Sequence, residues 1–176
     1  MLKSELRKII RDRKRQFSQQ QLGELSLAVI RRLMAHPRVE QATTILLYYS
    51  LPDEVDTHRA VYLLSQRGHR VVLPAVTGEG TMELRLFTGD TDLRPGAFGI
   101  MEPVGQPVTD YGHIDLAVVP GMAFDAQGHR LGRGKGYYDR LLPRLGHCYK
   151  IGMCFDFQKV PSVPTEPTDI AMDEVL

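Results

Sequence analysis

Apolar and polar positions in the first part of the chain recur with the period of a helix. Leu2, Leu6, Ile9, Ile10 and Phe17 fall at helical spacing with Lys and Arg between them, which predicts an amphipathic first helix. Ser18 followed by Gln21 has the form of a capping box and opens a second helix. Its apolar stripe is Leu22, Leu25, Val29 and Leu33, and Pro37 sets its end. The period then changes. Thr43–Tyr49 is a continuous β-prone run, the pattern of a strand covered on both faces. A helix running to Gln66 and stopped by Gly68, then a short buried strand Arg70–Pro74, complete a βαβ unit. Met82–Phe87 alternates and predicts a strand nearer an edge. Thr88–Tyr111 has little periodicity and repeated Gly and Pro, so it reads as a long loop, of a length that usually carries function.

Ile114–Val119 is the most strand-like segment, and Gly121–His129 leads from it to a glycine-rich stretch. A helix Tyr137–Leu142, limited by Pro143, and a buried strand Tyr149–Phe155 follow. Residues 156–168 hold Pro161, Pro164 and Pro167 and read as an ordered excursion before a last strand within Asp169–Leu176. There are no internal repeats and no low-complexity tracts. Alternating helices and strands predict one α/β domain over residues 1–176, a three-layer α/β/α sandwich on a mostly parallel, open, Rossmann-like sheet.

Composition narrows the function class. The 176 residues are 43% apolar and 24% charged, ordinary for a soluble globular chain long enough for a sizeable core. A net charge of +1 excludes a global electrostatic commitment to nucleic acid or membrane. Within residues 1–15, seven Lys or Arg face Glu5 and Asp12, and the run Arg11–Arg15 reads as a solvated face rather than a nucleic-acid contact. No apolar run approaches membrane-spanning length, and the N-terminus has neither the apolar core of a secretory signal nor the acid-poor character of a transit peptide. Cys148 and Cys154 are spaced neither as a redox pair nor as a zinc half-site, so reduced thiols are expected. A cytoplasmic monomer follows as the expectation.

The chemistry concentrates in residues 130–139, Arg-Leu-Gly-Arg-Gly-Lys-Gly-Tyr-Tyr-Asp. Each glycine held in a fixed conformation costs roughly 0.5–1 kcal/mol against alanine, so Gly132, Gly134 and Gly136 need a compensating reason. Close backbone approach to an anion supplies one: bare N–H groups turn inward while Arg133 and Lys135 bring charge. A helix opening at Tyr137 and Tyr138 would face its N–H groups to the same anion, and Asp139 stands where a carboxylate can hold a divalent cation beside phosphate. The generic motifs do not fit. A P-loop needs Ser or Thr after the lysine, where Gly136 stands, and the dinucleotide fingerprint would need glycine at Tyr137. A flexible basic loop with no ligand is the plain alternative.

Outside that stretch the residues speak less clearly. Lys3 and Arg7 share one helix face, and spacing alone would leave them solvated. Asp56 or Thr57 serves as a helix cap, whereas Glu54 has no evident structural duty and sits at the carboxyl end of a strand, where ligands bind in open α/β sheets. No Ser/His/Asp order or activated Cys stands out. Positive donors, distant carboxylates and aromatic side chains suit phosphoryl transfer, which demands positioning and charge neutralisation more than a nucleophile.

Leu131-Gly132-Arg133-Gly134-Lys135-Gly136-Tyr137-Tyr138-Asp139 resembles the signature of the 5-formyltetrahydrofolate cyclo-ligase family, and the resemblance extends over most of the chain. It implies ATP- and Mg²⁺-dependent closure of 5-formyltetrahydrofolate to 5,10-methenyltetrahydrofolate. ATP would be bound by Lys3, Arg7, Arg130, Leu131, Gly132, Arg133, Gly134, Lys135, Gly136, Tyr137 and Tyr138, with Arg133 and Lys135 catalytic. Folate would meet Tyr49, Glu54, Phe98, Arg133, Tyr137 and Tyr138, with Phe98 beneath the pterin ring. Asp139 and Asp169 would hold Mg²⁺. No nucleic acid or membrane partner is implied. The competing expectation is another α/β enzyme that handles sugar phosphates or CoA thioesters without ATP.

Overall fold

The computed structural model describes residues 1–89, 93–96 and 99–176. The chain runs α1 (Lys3–Lys14), α2 (Gln19–Met34), α3 (Pro37–Gln41), β1 (Thr44–Leu46), α4 (His58–Gln66), β2 (Arg70–Gly78) and β3 (Thr81–Phe87). It continues through β4 (Leu93–Pro95), β5 (Met101–Pro103), β6 (Pro107–Val108), β7 (Leu116–Pro120), β8 (Ala123–Phe124) and β9 (Arg130–Leu131). Then come α5 (Tyr137–Leu141), β10 (Tyr149–Met153) and β11 (Glu174–Val175).

The central sheet has the order β11-β10-β7-β1-β2-β3-β6. It is parallel from β11 to β2 and antiparallel at β3 and β6. The continuous apolar runs resolve into two faces by strand alternation. Ile45, Val71, Leu73, Leu116, Val118 and Ile151 pack against Leu22, Val29 and Leu33 of α2 and Val61 and Leu64 of α4. Leu46, Val72, Ala117 and Val119 turn the other way, onto Leu141, Leu142 and Leu145. Helices thus cover both faces, and the expected three-layer α/β/α arrangement holds.

A third, smaller cluster matters for the site. Leu6 and Ile10 of α1 meet Met122, Ala123, Leu131, Val160 and Val163, so the first helix lies against the antiparallel β8–β9 pair. Burial of each of the Leu, Ile, Met and Val side chains contributes about 1.5–3 kcal/mol.

Several expectations are corrected. Phe17 lies beyond the end of α1, and Lys14 is buried rather than on the solvated face. The Ser18–Gln21 capping box is present. Leu25, however, is exposed, and Ser26 takes the buried position, where its hydroxyl accepts from the Asp56 N–H. The described residues of the long segment 88–111 carry three short strands instead of being irregular throughout. Gly121–His129 is not a simple lead-in but most of a hairpin. The helix after the glycines ends at Leu141, and Pro143 lies inside a following 3₁₀ turn, Leu142–Leu145. The last strand spans only Glu174–Val175.

Gly152 in β10 shows how tightly the hairpin is seated. A Cβ there would stand 2.5 Å from a ring carbon of Phe124, which is fully buried, and 3.1 Å from the Met172 Cγ. Gly152→Ala is expected to lower stability by about 1–3 kcal/mol, equivalent to a fall of about 3–10 °C in Tm by differential scanning calorimetry.

Candidate functional site

Along the parallel part of the sheet, β1 connects through α4 to β2 on one side, while β7 connects through α5 to β10 on the other. The direction of progression reverses between β1 and β7. Ligand crevices in open α/β sheets form outside the carboxyl ends of strands at such a switch point. A cavity of about 360 Å³ opens there. Tyr48, Tyr49, Leu51 and Glu54 follow β1, Pro120 and Gly121 end β7, and Pro74, Val76 and Met82 come from β2 and β3. Ile100, Met101 and Glu102 form another wall, and Arg130, Gly132, Arg133, Lys135, Gly136, Tyr137, Tyr138 and Asp139 close the remaining side.

The β8–β9 hairpin presents the glycine stretch to this cavity. Its turn is built on Asp125, whose carboxylate accepts from the N–H groups of Gln127, His129 and Val163 and from His129 Nδ1. Burial would raise the Asp125 carboxyl, but these bonds, the Val163 N–H foremost, hold it below its usual value near 3.8.

Beyond β9 the loop is tied down through its carbonyls. Arg7 Nε donates to the Gly132 carbonyl at 2.8 Å, and Arg140 Nη1 donates to the Lys135 carbonyl at 3.1 Å and to the Gly80 carbonyl at 3.0 Å. A trans peptide points its C=O and N–H in opposite directions, so the N–H groups of Arg133 and Gly136 face away from those arginines. Gly134 and Gly136 have φ of 106° and 75°, a region closed to most side chains. Gly132 serves differently: a Cβ there would lie 3.1 Å from Arg130 Nη1.

Both arginines of the cavity are paired with carboxylates. Arg133 Nη2 donates to Asp53 Oδ1 at 2.7 Å and to Glu54 Oε1 at 3.1 Å. The other Asp53 oxygen meets the buried Lys14 ammonium at 3.1 Å. Burial pulls the Lys14 pKa down in spite of Asp53, and the Asp53 carboxyl, itself raised by desolvation, is held below its usual range by Lys14 and Arg133. The second Glu54 oxygen accepts from the Leu51 N–H at 2.9 Å, so Glu54 has a structural bond that its sequence position did not reveal. Arg130 is buried and donates to the Pro120 carbonyl and to Asp139 Oδ1 at 3.0 Å. Burial pushes the Tyr138 phenol well up, with the Glu54 carboxylate adding to it.

Of the residues expected at the site, Tyr49, Glu54, Arg130, Gly132, Arg133, Lys135, Gly136, Tyr137, Tyr138 and Asp139 line one cavity. Arg7 reaches the loop from behind, and an added Cβ on Gly134 would point toward Arg7. The Leu131 side chain is in the small apolar cluster, which leaves its backbone as the part able to meet a ligand. Lys3 is paired with Asp169 at 3.0 Å and Glu166 at 3.1 Å. Phe98 lies outside the described residues. Tyr48, Asp53 and Lys14 were not anticipated. Tyr48 had a usable signal, because it adjoins Tyr49 at the carboxyl end of a parallel strand. Lys14 had none, being one cation within a basic run.

A divalent cation has a modest but suitable donor set. Among the described residues no three His, Cys, Asp or Glu gather as a metal cage. Asp139 accepts from Arg130 at 3.0 Å and Asp169 from Lys3 at 3.0 Å, and both carboxylates act electrostatically on the Arg130 guanidinium. Mg²⁺ is commonly held by one or two carboxylates together with substrate phosphates and water, so this pair fits it.

Three comparisons bear on this geometry. The sequence pattern of the 5-formyltetrahydrofolate cyclo-ligase family matches residues 1–176. The chain is 31% identical over 175 residues to the 5-formyltetrahydrofolate cyclo-ligase of Escherichia coli strain K12, covering 96% of each. It is 29% identical over 184 residues to the enzyme of that name from Mus musculus, covering 97% of this chain and 91% of the other. The solved 5,10-methenyltetrahydrofolate synthetase of Aquifex aeolicus superposes with a TM-score of 0.87 at 38% identity, over 99% of this chain and 89% of that one. The corresponding protein of Mycoplasma pneumoniae gives 0.80 at 26% identity, over 99% and 98%.

Asp125 sets a pH dependence. Its carboxyl is depressed in the folded state, so its contribution to stability is complete above the unfolded value near 4 and is lost as pH falls through the lower folded value. Wild-type Tm is therefore expected to fall over the window that opens as pH drops below about 4. Asp125→Asn should be less stable at pH 7 and lose less over that window, as read by calorimetry across pH.

Proposed function

The chain belongs to the 5-formyltetrahydrofolate cyclo-ligase family, and we propose that its glycine loop holds the nucleotide while the Glu54 wall of the same cavity holds the folate. The reaction is closure of 5-formyltetrahydrofolate to 5,10-methenyltetrahydrofolate, with ATP as co-substrate. One observation supports the division of labour: a single cavity has Gly132, Arg133, Lys135 and Gly136 on one side and Tyr49, Leu51 and Glu54 on another.

In the proposed sequence, the formyl oxygen attacks the γ-phosphorus, an O–P bond forms, and the bond to ADP breaks. N10 then adds to the formyl carbon and loses its proton. The C–O bond breaks, and phosphate leaves with that electron pair as the methenyl bridge forms. The protein's part is to position and neutralise. Arg133 is the group able to serve both substrates, because its guanidinium already sits between two carboxylates and can present a fork of donors to phosphoryl oxygens. Lys135 brings a point charge from the same loop, and the N–H groups of Arg133 and Gly136 supply donors opposite the tethered carbonyls. Arg130, Lys3 and Arg7 add positive charge behind them. Tyr137, Tyr138 and Tyr49 offer aromatic surface to the folate, and Glu54 offers an acceptor. Asp139 and Asp169 would hold Mg²⁺, which supplies charge neutralisation at the phosphates when bound.

Among the described residues no helix is long and apolar enough to cross a membrane. Burial pushes the thiols of Cys148 and Cys154 up to about 12, which leaves them protonated and unreactive, in keeping with the reduced thiols of a cytoplasmic protein.

The direct test mixes purified protein with Mg-ATP and 5-formyltetrahydrofolate and follows near-ultraviolet absorbance. ATP-dependent appearance of the methenyl product is expected, and turnover without ATP would overturn the assignment. Lys135→Ala should lower kcat/KM by about 10²–10³-fold while Tm stays nearly unchanged, since Lys135 is exposed. Glu54→Gln should weaken folate binding by about ten- to a hundredfold without weakening ATP binding, as separate titrations of each ligand by calorimetry would show.

A further inference from the structure

Among the described residues three buried side-chain polar atoms have no hydrogen-bond partner: the hydroxyls of Tyr48 and Tyr62, and Arg130 Nε. Two of these residues, Tyr48 and Arg130, line the cavity. Tyr48 is only 4% exposed, so its hydroxyl has lost water without gaining a protein acceptor. Such an arrangement is unfavourable in the empty protein, and a phenyl ring in the same place would pack without that cost.

Tyr48 follows β1 and lines the cavity together with Tyr49, Glu54 and Tyr138. The groups acting electrostatically on its hydroxyl are Glu54, Tyr138, Cys154 and Asp56, the first two of them on the cavity wall. The Tyr48 hydroxyl makes no bond to Glu54, whose oxygens accept from Arg133 and from the Leu51 N–H and, with two lone pairs each, keep room for a further donor. Burial keeps the phenol protonated throughout the physiological range. The cavity therefore sets an acceptor-only group, Glu54, beside an unspent donor, Tyr48. The pterin ring of a folate carries the matching edge, a lactam N–H adjacent to a lactam carbonyl.

Resting on the proposed folate orientation, we infer that Tyr48 is a specificity-determining residue whose hydroxyl donates a hydrogen bond to the lactam carbonyl of the bound pterin, alongside Glu54 on the adjoining N–H. The bond forms only when the folate is present. Tyr48 thus weakens the empty protein slightly and strengthens the complex, so one substitution should move the two in opposite directions.

The test uses the full chain and Tyr48→Phe. Its Tm without ligand should equal or exceed that of the wild type. By calorimetry the Kd should rise by about ten- to a hundredfold for 5-formyltetrahydrofolate and equally for 5-methyltetrahydrofolate, which keeps the lactam but has no formyl oxygen. The Kd for ATP should be unchanged. An unchanged folate Kd overturns the inference. So does a penalty confined to the 5-formyl compound, which would assign the donor to the formyl oxygen. A lowered Tm with ATP binding weakened alongside overturns it too, since that marks general damage to the fold. Wild-type protein that forms no methenyl product would remove the functional assignment and this inference together; active wild type with an indifferent Tyr48→Phe removes only the inference.

Discussion

The bond from Arg7 Nε to the Gly132 carbonyl is the contact on which the site depends. It joins the first helix to a loop 125 residues later in the chain, and it acts on the backbone rather than on a side chain. A segment with three glycines in five residues has little to hold its shape by itself. Here the shape is imposed from outside, by Arg7 on one peptide and Arg140 on another. The apolar contacts of Leu6 and Ile10 on the β8–β9 hairpin then make the position of Arg7 reproducible, because the helix that carries it is seated on the hairpin that leads into the loop. Basic residues that look like a solvated run in the sequence are thereby divided between two tasks, with Arg7 shaping the loop and Lys14 meeting Asp53.

Charge within the cavity is balanced before any substrate arrives. Arg133 lies on Asp53 and Glu54, Arg130 on Asp139, and Lys3 on Asp169 and Glu166. Binding in the proposed reaction is accordingly an exchange of partners. Phosphate oxygens would take over the arginines and lysines, and the released carboxylates would be free for the folate at Glu54 and for a cation at Asp139 and Asp169. Exchange of this kind moderates affinity, since each new ion pair replaces an old one, but it avoids leaving a buried charge alone, which is the costlier state. Lys14 is the limiting case. Its ammonium is almost wholly enclosed, and Asp53 has to keep one oxygen on it whatever Arg133 does.

Much of this was legible in the sequence where the local pattern and the tertiary demand agree. The continuous run around β1, the capping box at Ser18 and the strand at β7 all emerge from periodicity and side-chain chemistry that the fold leaves undisturbed. The glycine stretch was legible for the same reason, since φ of 106° and 75° are demands that only the residue type can meet. What escaped depends on contacts distant in sequence. Ser26 displaces Leu25 from the buried face because the Asp56 N–H needs an acceptor there, and no spacing rule contains that need. The hairpin within Gly121–Leu131 is held by the Asp125 carboxylate and by an amide as far along as Val163. Lys14 is identical in type to its neighbours and differs only in facing Asp53. The bond from Leu51 N–H to Glu54 is local, but it is realised only because the loop turns back on itself after Tyr49.

The short helix after the glycines bears on how phosphate would be held. α5 spans five residues, Tyr137–Leu141, before the backbone tightens into a 3₁₀ turn. A helix macrodipole grows from many aligned peptides and acts mainly at free terminal N–H groups, so five residues give a weak one. In a long-helix phosphate site the backbone carries much of the stabilisation. In the proposed site the greater part would have to come from formal charge, on Arg133 and Lys135 in the loop and on Arg130, all of which line the cavity. That accounts for cations alternating with the glycines: the glycines let the backbone come close, and the side chains between them supply the field that so short a helix cannot.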